Sequence, residues 1–135
     1  MSLKDSTIVP VLAVDDLDRA IGFYRDKLGL DVHRVEEDPT SALVQLRGED
    51  AFLIYKSGYK QGETTAASFS VSDVERTVDE LRGRGVKFED YDLPGLKTDR
   101  GIATLGEMKG AWFKDSEGNT LAITDMQAER ARKAA

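Results

Sequence analysis

The chain has 135 residues, 33% of them charged, with a net charge of −6, no Cys and one His. This length fits one domain. The chain lacks the clustered basic face of nucleic-acid-binding proteins and the roughly 18 apolar residues of a membrane span, so we expect a cytoplasmic protein without either partner. The lack of Cys and the single His33 exclude disulfides, thiolate metal sites, cysteine nucleophiles and sites that need two imidazoles of one chain.

The first half of the chain is predicted to read β-α-β-β-β. A strand begins at Val9 and ends at Val14, and Asp15 is predicted to cap the helix that follows. The apolar positions of this helix are spaced 4, 3 and 4 residues apart, which places them on one stripe that can pack on a sheet. They are Leu17, Ile21, Tyr24 and Leu28. Three strands are then predicted over 31–37, 41–46 and 51–56, separated by turns rich in Pro, Gly and acidic residues.

The second half repeats this pattern 57 residues later. Val71 corresponds to Val14 and Asp73 to Asp16, and Ser72 and Glu75 are predicted to form a capping box at the second helix. The helix stripe reappears as Val74, Val78, Leu81 and Gly85. Strands are predicted over 86–91, 111–114 and 120–125, with the last two joined by a hairpin. The stretch 92–110 between them, with four glycines and a proline, is predicted to be irregular and mobile.

These segments resemble the vicinal-oxygen-chelate superfamily, which includes glyoxalase I, bleomycin-resistance proteins and extradiol dioxygenases. The matching motifs are Asp16-Leu17, Phe23-Tyr24, Leu28-Gly29-Leu30 and Asp115-x-x-Gly118-Asn119. The resemblance implies an α+β fold of two tandem βαβββ modules that form a cup-shaped, eight-stranded mixed sheet. We expect a single domain over 1–135, with module 1 at about 7–57, module 2 at about 64–126 and a polar tail over 127–135. Homodimers are the family habit, so a homodimer is expected.

Metalloenzymes of this family carry one metal ligand on the first and one on the last strand of each module. The resemblance places these four positions at Val9, Leu53, Ala66 and Ala122. Their side chains have no donor atom for a cation, and neither do their neighbours carry His, Asp or Glu. We therefore expect no metal and no other cofactor. His33, beside Arg34 in the second strand, is interpreted either as a solvated surface residue or as an acid/base group.

Strand alternation extends these positions into a candidate ligand-binding face. The face is apolar, with small side chains, a few hydroxyls and at least one aromatic ring turned inward, which suits a largely apolar or aromatic ligand. Its predicted members are Val9, Val11, Leu53, Tyr55, Ala66, Ser68, Trp112, Ala122 and Thr124. Leu12 and Val14, and likewise Phe113, are expected on the opposite, core-facing side.

The family register also shows that module 2 carries 12 more residues than module 1, and they fall in the stretch 92–110. A long loop in a compact domain often has a functional role, so this loop could cover a ligand with Lys97, Asp99, Arg100 or Glu107 in contact. Of these, Arg100 and Glu107 are included among the candidate ligand-binding residues. The alternative is a solvated surface loop.

Three functions remain open. The leading hypothesis is a metal-independent small-molecule binding protein that resembles bleomycin-resistance proteins. The second is a glyoxalase-, epimerase- or dioxygenase-like enzyme, a lyase or isomerase, that works without the metal and uses Glu107, Asp99 or His33 as general acid or base. The third is a dimerising module without ligand. No residue in the sequence is predicted to be catalytic with a defined partner.

Overall fold

The computed structural model describes residues 3–5, 8–58 and 64–125. The chain divides into two compact units, Met1–Gln61 (unit 1) and Gly62–Ala135 (unit 2). The predicted polar tail over 127–135 lies outside the described residues.

Unit 1 is a four-stranded sheet with one helix. A short 3-10 helix, Leu3–Asp5, precedes the module. The strands are β1 (Val11–Val14), β2 (Asp31–Arg34), β3 (Ser41–Leu46) and β4 (Glu49–Lys56), and α1 (Leu17–Gly22) continues into a π-helical turn, Phe23–Lys27. The sheet order is β1-β4-β3-β2, in which β1 runs parallel to β4 and the other pairs are antiparallel. This is the βαβββ module that the sequence predicts.

Unit 2 has the same beginning and end but a larger sheet. It contains β5 (Thr65–Ser70), α2 (Val74–Gly83), β6 (Asp92–Leu93), β7 (Leu96–Asp99), β8 (Ile102–Leu105), β9 (Met108–Lys114) and β10 (Thr120–Thr124). The order is β5-β10-β9-β8-β7-β6, with β5 parallel to β10. The α+β class and the two modules are confirmed. The described residues form ten strands in two sheets, where eight strands in one sheet were predicted.

The strand register shows how closely the two units correspond. In unit 1 the parallel pairing places Val11 beside Leu53, and in unit 2 it places Ser68 beside Ala122. Ser68 follows Val11 by 57 residues, the same interval that relates the two helices. The first and last strands therefore meet in the same register in both modules.

Both helices start one residue later than predicted. The N-caps are Asp16 and Asp73, whose carboxylates accept from the backbone N–H groups of Arg19 and Arg76 at 3.0 and 3.1 Å. The expectation of Asp15 and Ser72 at these positions was wrong. Both true caps have extended backbone, the conformation in which a short carboxylate reaches the amide three residues on.

The predicted capping box between Ser72 and Glu75 is also replaced. Glu75 forms an ion pair with Lys109 of β9, so it ties the first turn of α2 to the sheet. Unit 1 has a related pair at the same place, because Asp18, which precedes Glu75 by 57 residues, pairs with Arg34 of β2. These exposed pairs orient the helix more than they stabilise it.

The helix-facing side of each sheet forms its core. In unit 1, Leu12, Val14 and Ile54 are buried together with Tyr24, whose ring lies edge-on to Phe52 at 5.5 Å. The buried side chains of unit 2 include Val74 and Val78 of α2 and Phe113, Leu121 and Ile123 of the sheet. The sequence placed Leu12, Val14 and Phe113 on this side, as observed.

The stretch 92–110 is not irregular. It forms two hairpins, β6–β7 and β8–β9, joined by the turn between β7 and β8. Gly95, Gly101 and Gly106 have φ of 80°, 80° and 66° at the three turns, so glycines interpreted as a sign of disorder supply turn geometry instead. The strand predicted over 86–91 is reduced to one bridge, between Phe88 and Phe113.

The turn between β9 and β10 depends on a buried carboxylate. Asp115 Oδ1 accepts from the backbone N–H groups of Glu117 and Asn119, both at 2.8 Å, and Oδ2 accepts from Asn119 Nδ2 at 2.8 Å. Gly118 supplies a φ of 91° in the same turn. This explains why the Asp115-x-x-Gly118-Asn119 motif needs these residue types.

We expect Asp115→Ala to lower the free energy of unfolding by about 2–3 kcal/mol, because it removes charge-assisted hydrogen bonds and leaves their donor groups without an acceptor. Urea unfolding followed by circular dichroism measures the loss. Asp92→Ala removes an equal charge from an exposed strand residue and is expected to change stability by less than about 0.5 kcal/mol. Equal effects of the two substitutions would contradict this role of Asp115.

Candidate functional site

The face of the unit 2 sheet that α2 leaves uncovered carries a row of predicted site residues. Ser68 on β5, Ala122 on β10 and Trp112 on β9 are direct cross-strand neighbours. Ser68 is exposed, Trp112 is half-buried and Ala122 is 6% exposed. Neighbours in one register row point to the same face, so these three side chains lie together.

Trp112 lies flat against its own strand. A Cβ atom added to Gly110 would come within 3.4 Å of Trp112 Cη2, which shows that the indole ring extends over this glycine. Its edge also meets the ring of Tyr91, with 5.7 Å between centroids and an interplanar angle of 85°. The site is therefore an aromatic corner beside small side chains.

Tyr91 was not predicted as a site residue. Burial of the phenol, and then the negative charge of Glu89, raise the pKa of Tyr91 above its ordinary value. The backbone N–H of Glu89 donates to the carbonyl of Trp112 at 2.8 Å, which ties this segment to β9. The contact between Tyr91 and Trp112 was missed because a regular strand was predicted over 86–91. Which residues of this segment lie beside Trp112 depends on its pairing with β9, and the sequence alone does not reveal that pairing.

The remaining predicted residues of unit 2 are dispersed. Thr124 pairs with Ser70 and Gly110 and is half-buried on the Trp112 face, and Ala66 is exposed near the start of β5. Glu107 is exposed in the turn between β8 and β9.

Arg100 lies on the other side of the sheet. With φ of 53° it occupies the turn between β7 and β8, and its carbonyl accepts from Arg82 of α2. It lines a groove of about 360 Å³ between α2 and the sheet. The other lining residues are Glu75, Asp79, Arg82, Asp99, Ile102, Thr104 and Lys109. Since Lys109 and Trp112 alternate on β9, this groove and the aromatic corner are on opposite faces.

Unit 1 has its own uncovered face. Val11, Leu53, Leu43 and His33 form one cross-strand row over four strands, and Tyr55 is in the next row with Ser41. Val9 precedes β1 and is 38% exposed. His33 is exposed and is two strands away from Leu53 in the same row. Only the pairing of β2 with β3 reveals this, so sequence reasoning alone missed it.

The four metal-ligand positions of the resembling family do not fit a metal. Val9 and Leu53 in unit 1, and Ala66 and Ala122 in unit 2, offer only hydrocarbon side chains. Among the residues that the structure describes, no three His, Cys, Asp or Glu side chains are grouped so that they could hold an ion. Over the same residues, no helix is long and apolar enough to cross a bilayer.

Comparisons with known proteins agree with this architecture. The family model of the Glyoxalase/Bleomycin resistance protein/Dioxygenase superfamily matches residues 7–123. A probable lactoylglutathione lyase, chloroplastic, from Arabidopsis thaliana is 30% identical over an alignment that covers 65% of this chain. That alignment spans only 29% of the Arabidopsis protein.

Solved structures show the same fold at low identity. A glyoxalase/bleomycin resistance protein/dioxygenase from Alicyclobacillus acidocaldarius has a TM-score of 0.66 at 18% identity, over 92% of this chain and 93% of that one. The fosfomycin resistance protein FosX from Listeria monocytogenes has a TM-score of 0.65 at 14% identity, over 93% and 96%. At these identities the likeness concerns the fold.

We expect the purified protein to hold far less than one metal ion per chain, because Val9, Leu53, Ala66 and Ala122 supply no ligand atoms. Elemental analysis measures the content, and a thermal melt with and without a chelator measures any contribution to stability. The melting temperature should be the same in both. A stoichiometric ion whose removal lowers it would contradict the expectation.

Proposed function

The chain belongs to the Glyoxalase/Bleomycin resistance protein/Dioxygenase superfamily, and from that premise we propose that it is a metal-independent small-molecule binding protein. Its ligand is planar and largely apolar or aromatic, and it binds on the Trp112 face of unit 2. The observation that carries the proposal is the aromatic corner of Trp112 and Tyr91 beside Ala122, one of the family's metal-ligand positions.

The chemistry of this corner supports a flat ligand. The indole and phenol rings stand edge to face, an arrangement that leaves the outer surface of a half-buried indole available to a third ring. Ala122 and Ser68, the row neighbours of Trp112, are too small to cover it from the β5 side. Binding here would be governed by apolar contact and ring stacking, with few polar contacts to fix orientation.

Charge further restricts the ligand. The effect of Glu89 on the pKa of Tyr91 means that a carboxylate is close to the phenol end of the corner. At the other end, the exposed Lys114 ammonium group donates to Thr120 Oγ1 at 3.2 Å and keeps its positive charge, because a hydroxyl does not neutralise it. Beside the phenol, a cationic or neutral ring suits the corner better than an anionic one, because cations are attracted to aromatic faces and to Glu89.

Three planar probes of similar size and different charge test the proposal: 1-methylquinolinium, 2-naphthol and naphthalene-2-carboxylate. Trp112 is the only Trp of the chain, so its fluorescence reports directly on the site. We expect saturable quenching and a raised melting temperature, with the cation bound at least about fivefold more tightly than the anion at low salt.

A matched pair of variants shows whether the response comes from the proposed face. Ser68→Leu places bulk beside Ala122 and is expected to weaken binding about tenfold or more. Ser72→Leu adds the same side chain at an exposed position after β5, outside the sheet, and should bind as the unaltered protein does. If no probe binds, or if Ser68→Leu binds normally, the proposal fails; a protein that binds none of them favours the dimerising module.

An enzyme is the second candidate, favoured by His33 in the Leu53 row of unit 1 and by the relative named as a probable lactoylglutathione lyase. His33 is the single imidazole of the chain, and imidazole is the side chain most often used as a general acid or base. Glu107 is exposed in a turn, and Asp99 lines the groove on the helix side of unit 2. Of the three acid/base groups considered, His33 alone shares a face with a former ligand position.

This candidate predicts turnover of the methylglyoxal–glutathione adduct that resists chelators and falls about 100-fold or more in His33→Gln. The binding proposal predicts no turnover above the uncatalysed rate in either protein. Formation of the thioester product, followed by its absorbance, separates the two. A control variant, Arg34→Gln, alters the adjacent exposed residue on the other face of β2. Turnover lost equally in both variants would not assign the chemistry to His33.

A further inference from the structure

A row of four apolar side chains crosses the outer strands of unit 2. Leu93 pairs with Leu96, and Leu105 pairs with Met108. Leu96 and Leu105 each lie two residues beyond the pair of Thr98 with Ala103, on the same face of β7 and β8. We call these four residues the apolar row. Leu93 is 56% exposed and Leu105 44% exposed, while Leu96 and Met108 are half-buried.

The apolar row is on the same face as the aromatic corner. Met108, Gly110 and Trp112 alternate along β9 with the same orientation, so about 14 Å separates the Cα atoms of Met108 and Trp112. The indole ring extends over Gly110, toward the row. The chain also connects the two features directly, because Tyr91 of the aromatic corner precedes Leu93 of the apolar row by two residues. The two features border one another.

The sheet surface between them is formed by small side chains and is bordered by the carboxylate of Asp90. Gly110 and Ala103 are buried, and Thr98 follows in the same cross-strand row. The Thr98 hydroxyl is engaged within the protein, because Thr98 Oγ1 donates to Asp90 Oδ1 at 2.9 Å and accepts from the backbone N–H of Tyr91 at 2.7 Å. No hydroxyl or charge of these three residues therefore interrupts the path from Trp112 to the row.

We propose that the apolar row is a second subsite of the same binding face, and that the ligand is an elongated molecule with a planar head and an extended apolar chain. The head contacts Trp112 and Tyr91, and the chain lies along the row. This inference rests on the proposed function, since it extends the site described there. It assigns a role to the additional residues of module 2, whose hairpins provide all four side chains of the row.

The size of the row favours one small-molecule chain over a protein partner. Four side chains are far fewer than the roughly 20–30 residues that each partner contributes to a standard protein–protein interface. The edge strand β6 has two residues, one of them Asp92, and is followed by Pro94. A short edge with a charge and a proline opposes strand addition by another chain. A flexible apolar chain needs neither a large area nor free backbone groups.

A chain-length series tests the inference. Binding of 1-methylquinolinium and 1-octylquinolinium is measured by Trp112 fluorescence and by calorimetry. Each methylene that becomes buried strengthens binding about threefold to fourfold, so we expect the octyl compound to bind at least about tenfold more tightly than the methyl compound. In the double variant Leu93→Ser/Leu105→Ser this gain should fall to less than about threefold, with methyl binding unchanged.

The single variant Ile8→Ser is the control, because it removes an exposed apolar side chain of unit 1 that is 91% exposed. It should keep the full gain. An equal gain in the double variant and the unaltered protein, or no gain in either, overturns the inference while methyl binding still supports the proposed function. Loss of methyl binding in Ser68→Leu separates the head site from the row. If neither compound binds the unaltered protein, both proposals fail.

Discussion

One face of each sheet packs against the helix of the same unit, and the rest of the structure depends on this packing. Burial of the apolar side chains of β1, β4, β9 and β10 against α1 and α2 provides the main stabilisation of each unit. Because side chains alternate along a strand, every residue that enters the core sends its neighbours to the opposite face. Phe113 in the core thus requires Trp112 outside it. The face that the helix leaves uncovered is a consequence of core packing.

The parallel pairing of first and last strands fixes what meets on that face. The same register in both units brings Val11 to Leu53 and Ser68 to Ala122. The helix caps Asp16 and Asp73 are 57 residues apart, the same interval that separates Val11 from Ser68. A repeat in sequence therefore becomes a repeat in geometry, although the side chains presented by the two copies differ completely.

Much of the fold could be predicted from the sequence, and the errors have identifiable causes. The 57-residue interval, the helix stripes and the turn at Asp115 are local signals, and they led to the correct modules. Register between distant strands is not local, which is why Tyr91 beside Trp112 and His33 in the Leu53 row escaped prediction. In the stretch 92–110 the glycines were interpreted as a sign of irregular structure. They instead occupy the turns between strands that pair with one another. Tertiary hydrogen bonding decided between these outcomes.

The identity of residue 122 is linked to Trp112 through packing. Ala122 is 6% exposed and has Ser68 and Trp112 as its row neighbours. A carboxylate at this position would be largely buried between an indole and a serine, neither of which carries a positive charge, and an unpaired buried charge is strongly unfavourable. An aromatic side chain at 112 and a metal ligand at 122 therefore disfavour each other. The small side chain at 122 and the indole at 112 are thus linked through packing on one face of the sheet.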